Sequence, residues 1–458
     1  MNWWFIICMG IYILIMIGIG IVDARNAKSF TDYAVAGKRQ GTVTVSMTLL
    51  ATMLGASATI GITDTVYSIG FPGIWWLVFG AVGLFLQSLL LSEKVRNIGA
   101  DTLPHLAEIT VGRAASVLLA VLITIAWVGV VAGQLVAMHS LVTFATGSSS
   151  KWLMLLLSVI VIAYTALGGQ LSVVKTDRVQ LVVILAGILM MVIWLFASTP
   201  GSVADAAERV ELLNDSYGPM NLFTQFFIIG GVYFLGPDIL SRNFLSKDGR
   251  TARRSAGIAG VALLAVAFLI TMIGLWARGH VTAEEMAGQK TLMYVISLLP
   301  KWISVIMSLG LLSAILSSTD TCIINAATIF SRDILGKKSA TVIRFAVLGI
   351  GGIATAIALL GSGNIINILS GAYSIYTPGV IFPLLIAILA YKKKGIKKPL
   401  WLAAVAVGGC FGLISTFLGS TLTDWGVPEG IVSNLSLIGM GVSLVLALMS
   451  VQWKREGV

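Results

Sequence analysis

Residues 49–64 read LLATMLGASATIGITD, and residues 227–240 read FIIGGVYFLGPDIL. Both are apolar enough for a membrane-spanning helix, yet each carries in its middle the residues a helix tolerates worst. The first has Gly55, Ala56, Ser57, Ala58 and Thr59 in a row; the second has Gly230, Gly231, Gly236 and Pro237. Glycine costs about 1 kcal/mol in a helix interior and proline about 3. Clustered at mid-membrane, they predict unwinding, and carbonyls freed there need partners, of which a cation is one. Close helix packing through small residues is the plainer use of the same glycines. A second interrupted stretch at a matching place strengthens the first reading, because paired broken helices mark binding sites in secondary transporters. The apolar stretch 364–390 is a third candidate, with breaks expected at Ser370-Gly371-Ala372 and Pro378-Gly379.

The rest of the chain is built for lipid. Of 458 residues, 57% are hydrophobic and 11% charged, against roughly 25% charged in a soluble domain, whose surface must be wetted. A helix needs about 20 apolar residues to cross a bilayer core. Thirteen stretches qualify: 3–22, 44–68, 74–93, 114–142, 152–168, 177–197, 221–241, 256–276, 302–330, 341–361, 364–390, 400–419 and 432–450. The reading is an all-α membrane protein. The first stretch lacks the basic flank and cleavage site of a signal peptide and is read as a retained helix.

Charge orients these spans. Of the 30 Lys and Arg, only Lys151, Arg209, Arg278, Lys290 and Lys301 fall on one side. The remainder, including Arg25, Lys28, the Arg250–Arg254 cluster, Lys392-Lys393-Lys394, Lys454 and Arg455, collect on the other, which is therefore cytoplasmic. The N-terminus is then outside and the C-terminus inside, which requires an odd number of crossings. The chain is expected in the plasma (inner) membrane. The two interrupted stretches lie five spans apart, so two five-span halves, 44–197 and 221–390, have opposite topology and form an inverted repeat. Residues 1–43 are an accessory helix with a cytoplasmic loop, and 400–458 hold two accessory helices with a short tail.

Composition also excludes. Cys8, Cys322 and Cys410 lie in apolar stretches without CxxC spacing, so neither a disulfide framework nor a zinc cage is expected. The nearest approach to a phosphate-binding loop, Leu335-Gly336-Lys337-Lys338-Ser339, has Ser331 where the first glycine belongs. His105 and His280 lie in loops and His139 near a span's outer end, and no intramembrane catalytic pairing accompanies them, so the chain is not expected to be an enzyme. The positive charge (+10) has no basic run interleaved with aromatics, so no nucleic-acid partner is expected.

A series of fragments then resembles one family. They are Asp32-Tyr33-Ala34-Val35-Ala36-Gly37-Lys38-Arg39, Tyr67-Ser68-Ile69-Gly70, Tyr164-Thr165-Ala166-Leu167-Gly168-Gly169, Thr176-Asp177-Arg178-Val179-Gln180, Gly236-Pro237-Asp238-Ile239-Leu240-Ser241-Arg242-Asn243-Phe244, Ser317-Ser318-Thr319-Asp320-Thr321 and Ser331-Arg332-Asp333-Ile334. In this order and spacing they resemble the sodium/solute symporter family. The resemblance implies a leucine-transporter-like fold with five-plus-five inverted repeats, alternating access, and Na+ as coupling ion. It places sodium on the carbonyls of Ala51, Leu54 and Ala314 and the hydroxyls of Ser317 and Ser318. Five neutral oxygens suit a hard cation. Back-bonding of the two serines within their own helix is the alternative. The resemblance also implies a second cation site near Asp177, Asp320 and Thr321. Here one expected hydroxyl is the carboxylate of Asp320, which leaves open a shared proton between the two acids. The bland alternatives are a helix N-cap for Asp177 and pairing with an arginine or hydroxyls for Asp320. Asp238 and Arg242, four apart, read as an i,i+4 pair.

The solute is expected between the broken helices, facing Ser57, Ala58, Thr59, Trp76, Gln134, Tyr233 and Tyr373, with Gln225 and Tyr376 as further candidates. No mid-membrane Arg or Lys is expected to face it. The resulting expectation is a sodium-coupled symporter importing a small organic solute, best an amino acid or similar zwitterion. The alternative is a proton-coupled or uncoupled carrier of a small carboxylate or sugar that uses Asp320 and Asp177. The partners are that solute, sodium and the lipid bilayer.

Overall fold

The computed structural model describes residues 3–24, 29–360 and 365–452. Arg25, Lys28, Lys454 and Arg455, assigned above to the cytoplasmic side, lie outside them. The architecture is helical. In chain order the long helices are α1 (Trp3–Ala24), α2 (Thr42–Met53), α3 (Ile62–Ile69), α4 (Trp75–Leu86), α5 (Arg113–Thr146), α6 (Lys151–Ser198), α7 (Pro219–Leu235), α8 (Pro237–Leu245), α9 (Gly249–His280), α10 (Lys301–Ile329), α11 (Ala340–Leu360), α12 (Ile365–Ala390), α13 (Lys398–Phe417) and α14 (Leu435–Met449). A short antiparallel pairing joins Gly395–Ile396 to Val451–Gln452.

Among the described residues, ten helices are long and apolar enough to cross a membrane, or eleven if α2 and α3 together make one bent span. The thirteen stretches read from sequence differ in two places. Stretches 152–168 and 177–197 both lie in α6, and 432–450 yields only the 15 residues of α14. A straight helix of α6's 48 residues would be about 72 Å long, over twice the bilayer core. It is not straight in its dihedrals: Gly169, at φ 62 and ψ −167, joins two helices end to end. A Cβ there would also sit 2.7 Å from the Tyr33 ring, so glycine is required twice over.

The two interruptions expected from sequence are present. Leu54, Gly55 and Ala56 leave the helix, a π-turn follows over Ser57–Gly61, and the axes of the two limbs differ by 60°. Between α7 and α8, Gly236 is extended (φ −59, ψ 140), as the residue before a proline prefers. The third expected interruption is absent. α12 runs unbroken through Ser370-Gly371-Ala372 and through Pro378 and Pro383. Neighbours brace it: Trp401 donates to the Pro383 carbonyl at 2.8 Å, Thr416 to that of Gly371 at 3.2 Å, and Gly408 and Gly412 of α13 press against α12's backbone.

Candidate functional site

The break after α2 is built from lost backbone bonds. In a continuous helix the Thr52 carbonyl would accept from the Ala56 N–H. Instead Ala56 N–H donates to Gln134 Oε1 of α5 at 3.0 Å, and Ser318 Oγ of α10 donates to the Thr52 carbonyl at 2.7 Å. Two side chains from two other helices thus replace one backbone bond. Among the described residues no donor reaches the carbonyls of Ala51, Met53 or Leu54. Gly55 permits the approach, since a Cβ there would lie 2.4 Å from Ser318 Oγ and 3.0 Å from Gln134 Nε2.

α10 supplies the facing wall. Ser317 Oγ donates to Asp177 Oδ1 at 2.6 Å, so neither serine bonds back within its own helix. The next residue, Thr319, does so, donating to the Ile315 carbonyl at 2.6 Å. Each serine spends its proton elsewhere and keeps oxygen lone pairs for another ligand. Ala314 lies one turn before Ser318 on the same wall and is fully buried. Ser318 thus meets the α2 break directly, at Thr52 and Gly55, with Ala314 and Ser317 on the same helix.

The charged neighbours differ from expectation. Arg242 is fully buried and does not pair with Asp238. Its Nη2 donates to Thr321 Oγ1 at 2.5 Å, to Thr52 Oγ1 at 2.6 Å and to Asp177 Oδ2 at 3.1 Å. The i,i+4 reading fails because α8 has no aqueous face there: Ile239–Leu245 is buried throughout, so the guanidinium turns inward to the one acid that can pair with it. Arg242 thus lies beside the break without lining the solute cavity described below. Asp177 is no N-cap either. α6 continues through it, and its carboxylate also accepts from Thr48.

Asp320 is held separately, accepting from Tyr164 Oη and Thr165 Oγ1, each at 2.6 Å. The proposed trio therefore divides. Asp177 and Thr321 share Arg242, whereas Asp320 has two hydroxyl donors of its own.

Beyond the break lies a small cavity of roughly 20 Å³, lined by Ser57, Gln134, Ser318, Tyr233, Tyr373, Asp238 and Cys322 among others. Trp76 packs on Tyr373 with ring centres 6.2 Å apart. It also lines a wider cavity of about 430 Å³ with Tyr217, Gln225 and Asn434. Ala58 and Thr59 do not line the small cavity, and the Thr59 hydroxyl is bonded to the Gly55 carbonyl. Gln225 belongs to the wider cavity and accepts from Tyr217. Tyr376 is structural: its hydroxyl donates to the Leu235 carbonyl at 2.6 Å, and its ring packs edge-on against Trp127. Sequence reasoning missed two members, Arg242 and Asp238, by pairing them with each other.

At one end of α10, Arg332 joins Glu108 (3.1 Å) and Asp101 (3.8 Å), Lys38 joins Asp101 (2.7 Å), and Thr102 donates to Asp333 (2.6 Å). Burial, then the Arg332 charge, pushes the nearby His105 down to about 4, so it is neutral at physiological pH.

The model of the sodium:solute symporter family matches residues 33–395. The chain belongs to that family. Relatives include the osmoregulated proline transporter OpuE of Bacillus subtilis, 23% identical over 96% of this chain and 94% of that one. The sodium/glucose cotransporter of Vibrio parahaemolyticus is 25% identical over 72% and 68%. The high-affinity choline transporter 1 of Caenorhabditis elegans is 26% identical over 76% and 67%. Among solved structures, a Na+-coupled sialic acid symporter in a substrate-bound outward-open state superposes with a TM-score of 0.75 at 15% identity, over 96% of this chain and 97% of that one. A nucleobase-cation-symport-1 family transporter gives 0.61 at 16% identity, over 93% and 94%. These neighbours share the leucine-transporter-like fold. The chain is a multi-pass membrane protein of a transporter family that couples sodium to a small solute.

Proposed function

We propose that this symporter imports a small organic solute, an amino acid or similar zwitterion, driven by sodium bound between α2 and α10. Its ligands are the carbonyls of Ala51, Leu54 and Ala314 and the hydroxyls of Ser317 and Ser318. The observation that carries this reading is the break after α2, where Ala51 and Leu54 present carbonyls without donors opposite two serines whose protons point away. Five neutral oxygens leave the bound site at +1, so release needs no charge to be stripped from the protein. Arg242 occupies Asp177 and Thr321, which leaves one sodium in the arrangement seen. The solute sits against Ser57, Gln134, Tyr233 and Tyr373, with Trp76 between it and the wider cavity.

In this reading α6 crosses twice, dividing at Gly169, and α14 makes a last crossing, giving thirteen spans with the N-terminus outside. The repeats 44–197 and 221–390 then each open on a broken helix, and residues 1–43 and 400–458 are accessory.

Proton coupling is the second reading. It is favoured by Asp320, a buried acid whose only hydrogen-bond partners among the described residues are hydroxyls. Uptake into proteoliposomes separates the two. Accumulation that follows an inward sodium gradient and is lost in Ser317→Ala/Ser318→Ala supports sodium. Accumulation that follows a pH gradient without sodium, and is lost in Asp320→Asn, supports the proton.

A further inference from the structure

The central cavity has one charged wall with no counter-charge. Asp238 stands in the first turn of α8, immediately after the break, and lines the cavity. Among the described residues its Oδ1 is buried with no side-chain partner and its Oδ2 has only the Cys322 thiol, at 3.9 Å, the backbone amides of Asp238 and Ile239 at the start of α8 being its other neighbours. The basic residue one turn on, Arg242, is committed to Asp177 in the opposite direction. No Lys, Arg or His lines the cavity. The positive end of α8 favours an ionised carboxylate at this place. A buried ionised carboxylate without a counter-charge is costly, and a cationic group brought beside it offsets that cost.

The other walls suit the same visitor. Tyr233 and Tyr373 face the space, and Trp76 backs Tyr373. Aromatic faces attract a positively charged nitrogen, most strongly when water is excluded. Gln134 spends its carbonyl oxygen on Ala56, and its amide nitrogen has no acceptor among the described residues, which leaves a donor for an anionic or hydroxyl end.

From these walls we infer that the transported solute carries a positively charged nitrogen, which pairs with Asp238 between Tyr233 and Tyr373. This names the solute class of the site proposed above and rests on that reading. Sodium bound next to Ser318 and a cationic nitrogen at Asp238 then occupy the two sides of one break-lined space, each with its own oxygens. The cavity in this state holds about one water, so the solute enters by parting Trp76 from Tyr373.

The test compares solutes that differ only in that charge. Purified protein in sodium buffer is titrated with choline against 3,3-dimethylbutan-1-ol, and with proline against cyclopentanecarboxylate, reading thermal stabilisation. The inference predicts that at least one charged member binds tenfold or more tighter than its uncharged-nitrogen partner, tenfold being about what one desolvated charge contact supplies. In Asp238→Asn that ratio falls to about twofold or less. Sodium alone must still stabilise Asp238→Asn, which shows that the variant is folded and the ion site intact. Equal binding within both pairs overturns the inference, as does an unchanged ratio in Asp238→Asn or stabilisation by neither charged solute. A wild-type protein that sodium does not stabilise overturns instead the ion site of the proposed function.

Discussion

The two broken helices look alike in sequence and behave differently in space. At the α7–α8 break, Gln87 Nε2 donates to the Phe234 carbonyl at 3.0 Å and Tyr376 donates to that of Leu235 at 2.6 Å. Among the described residues only the Tyr233 carbonyl there, for which Pro237 has no N–H to offer, goes without a donor. At the α2–α3 break Thr52 is served by Ser318 and Gly55 by Thr59, while Ala51, Met53 and Leu54 go without a donor among the described residues. The second break is covalent, fixed by a proline and sealed by side chains. The first is held open by tertiary contacts and leaves oxygens to spare. An interrupted helix is therefore not by itself an ion site. What separates the two is how many freed carbonyls the protein satisfies on its own.

The contrast can be broken at several points. The largest effect is expected at the Arg242–Asp177 ion pair beside the first break. Arg242→Met strands Asp177 in the core and should lower stability by about 3–5 kcal/mol. Adding Asp177→Asn should recover a substantial part, because no unpaired charge remains. Denaturation of the single and double variants in detergent gives the comparison, and additive losses would show that the pair is not a unit. Next, Ser317→Ala/Ser318→Ala removes two of five sodium ligands and should weaken apparent sodium affinity about a hundredfold, or about 2.7 kcal/mol, with solute binding at saturating sodium much less affected. Gln134→Ala orphans the Ala56 N–H and should cost about 1–3 kcal/mol. Pro237→Ala should cost less than Gln134→Ala, since Gln87 and Tyr376 still hold the second break open. If Pro237→Ala proves the more damaging, the assignment of covalent and tertiary breaks is reversed.

The smallest effect concerns pH. His105 is held near 4, below its ordinary value, so the unfolded chain takes its proton first. Stability should be unaffected by this residue above about pH 6.5 and fall as pH drops from there toward 4. His105→Gln should flatten that limb in a thermal-melt series, and an unchanged limb assigns the loss to other groups.

How far the chain could be read in advance follows the same division. Gly236-Pro237 and the glycines around Gly55 were legible because local chemistry costs the helix there whatever surrounds it. Pro378-Gly379 misled for the opposite reason: α13 closes on α12 through Gly408 and Gly412, and a sequence does not display a neighbour. The serines at 317 and 318 were legible by resemblance, but their actual partners, Asp177 and the Thr52 carbonyl, come from helices far away in the chain. Asp238 and Arg242 were misread because an i,i+4 spacing predicts a pair only where both side chains lack a better partner. Arg242 has one in Asp177, across the bundle, and that leaves Asp238 facing the cavity.

Direct binding of radioactive sodium to purified protein tests the central claim, that the gap in α2 facing Ser317 and Ser318 holds the coupling ion. The account predicts saturable binding to wild type with one ion per chain, displaced by excess cold sodium, lost in Ser317→Ala/Ser318→Ala and retained in Asp320→Asn. Undiminished binding in the double serine variant, or loss in Asp320→Asn alone, would contradict it.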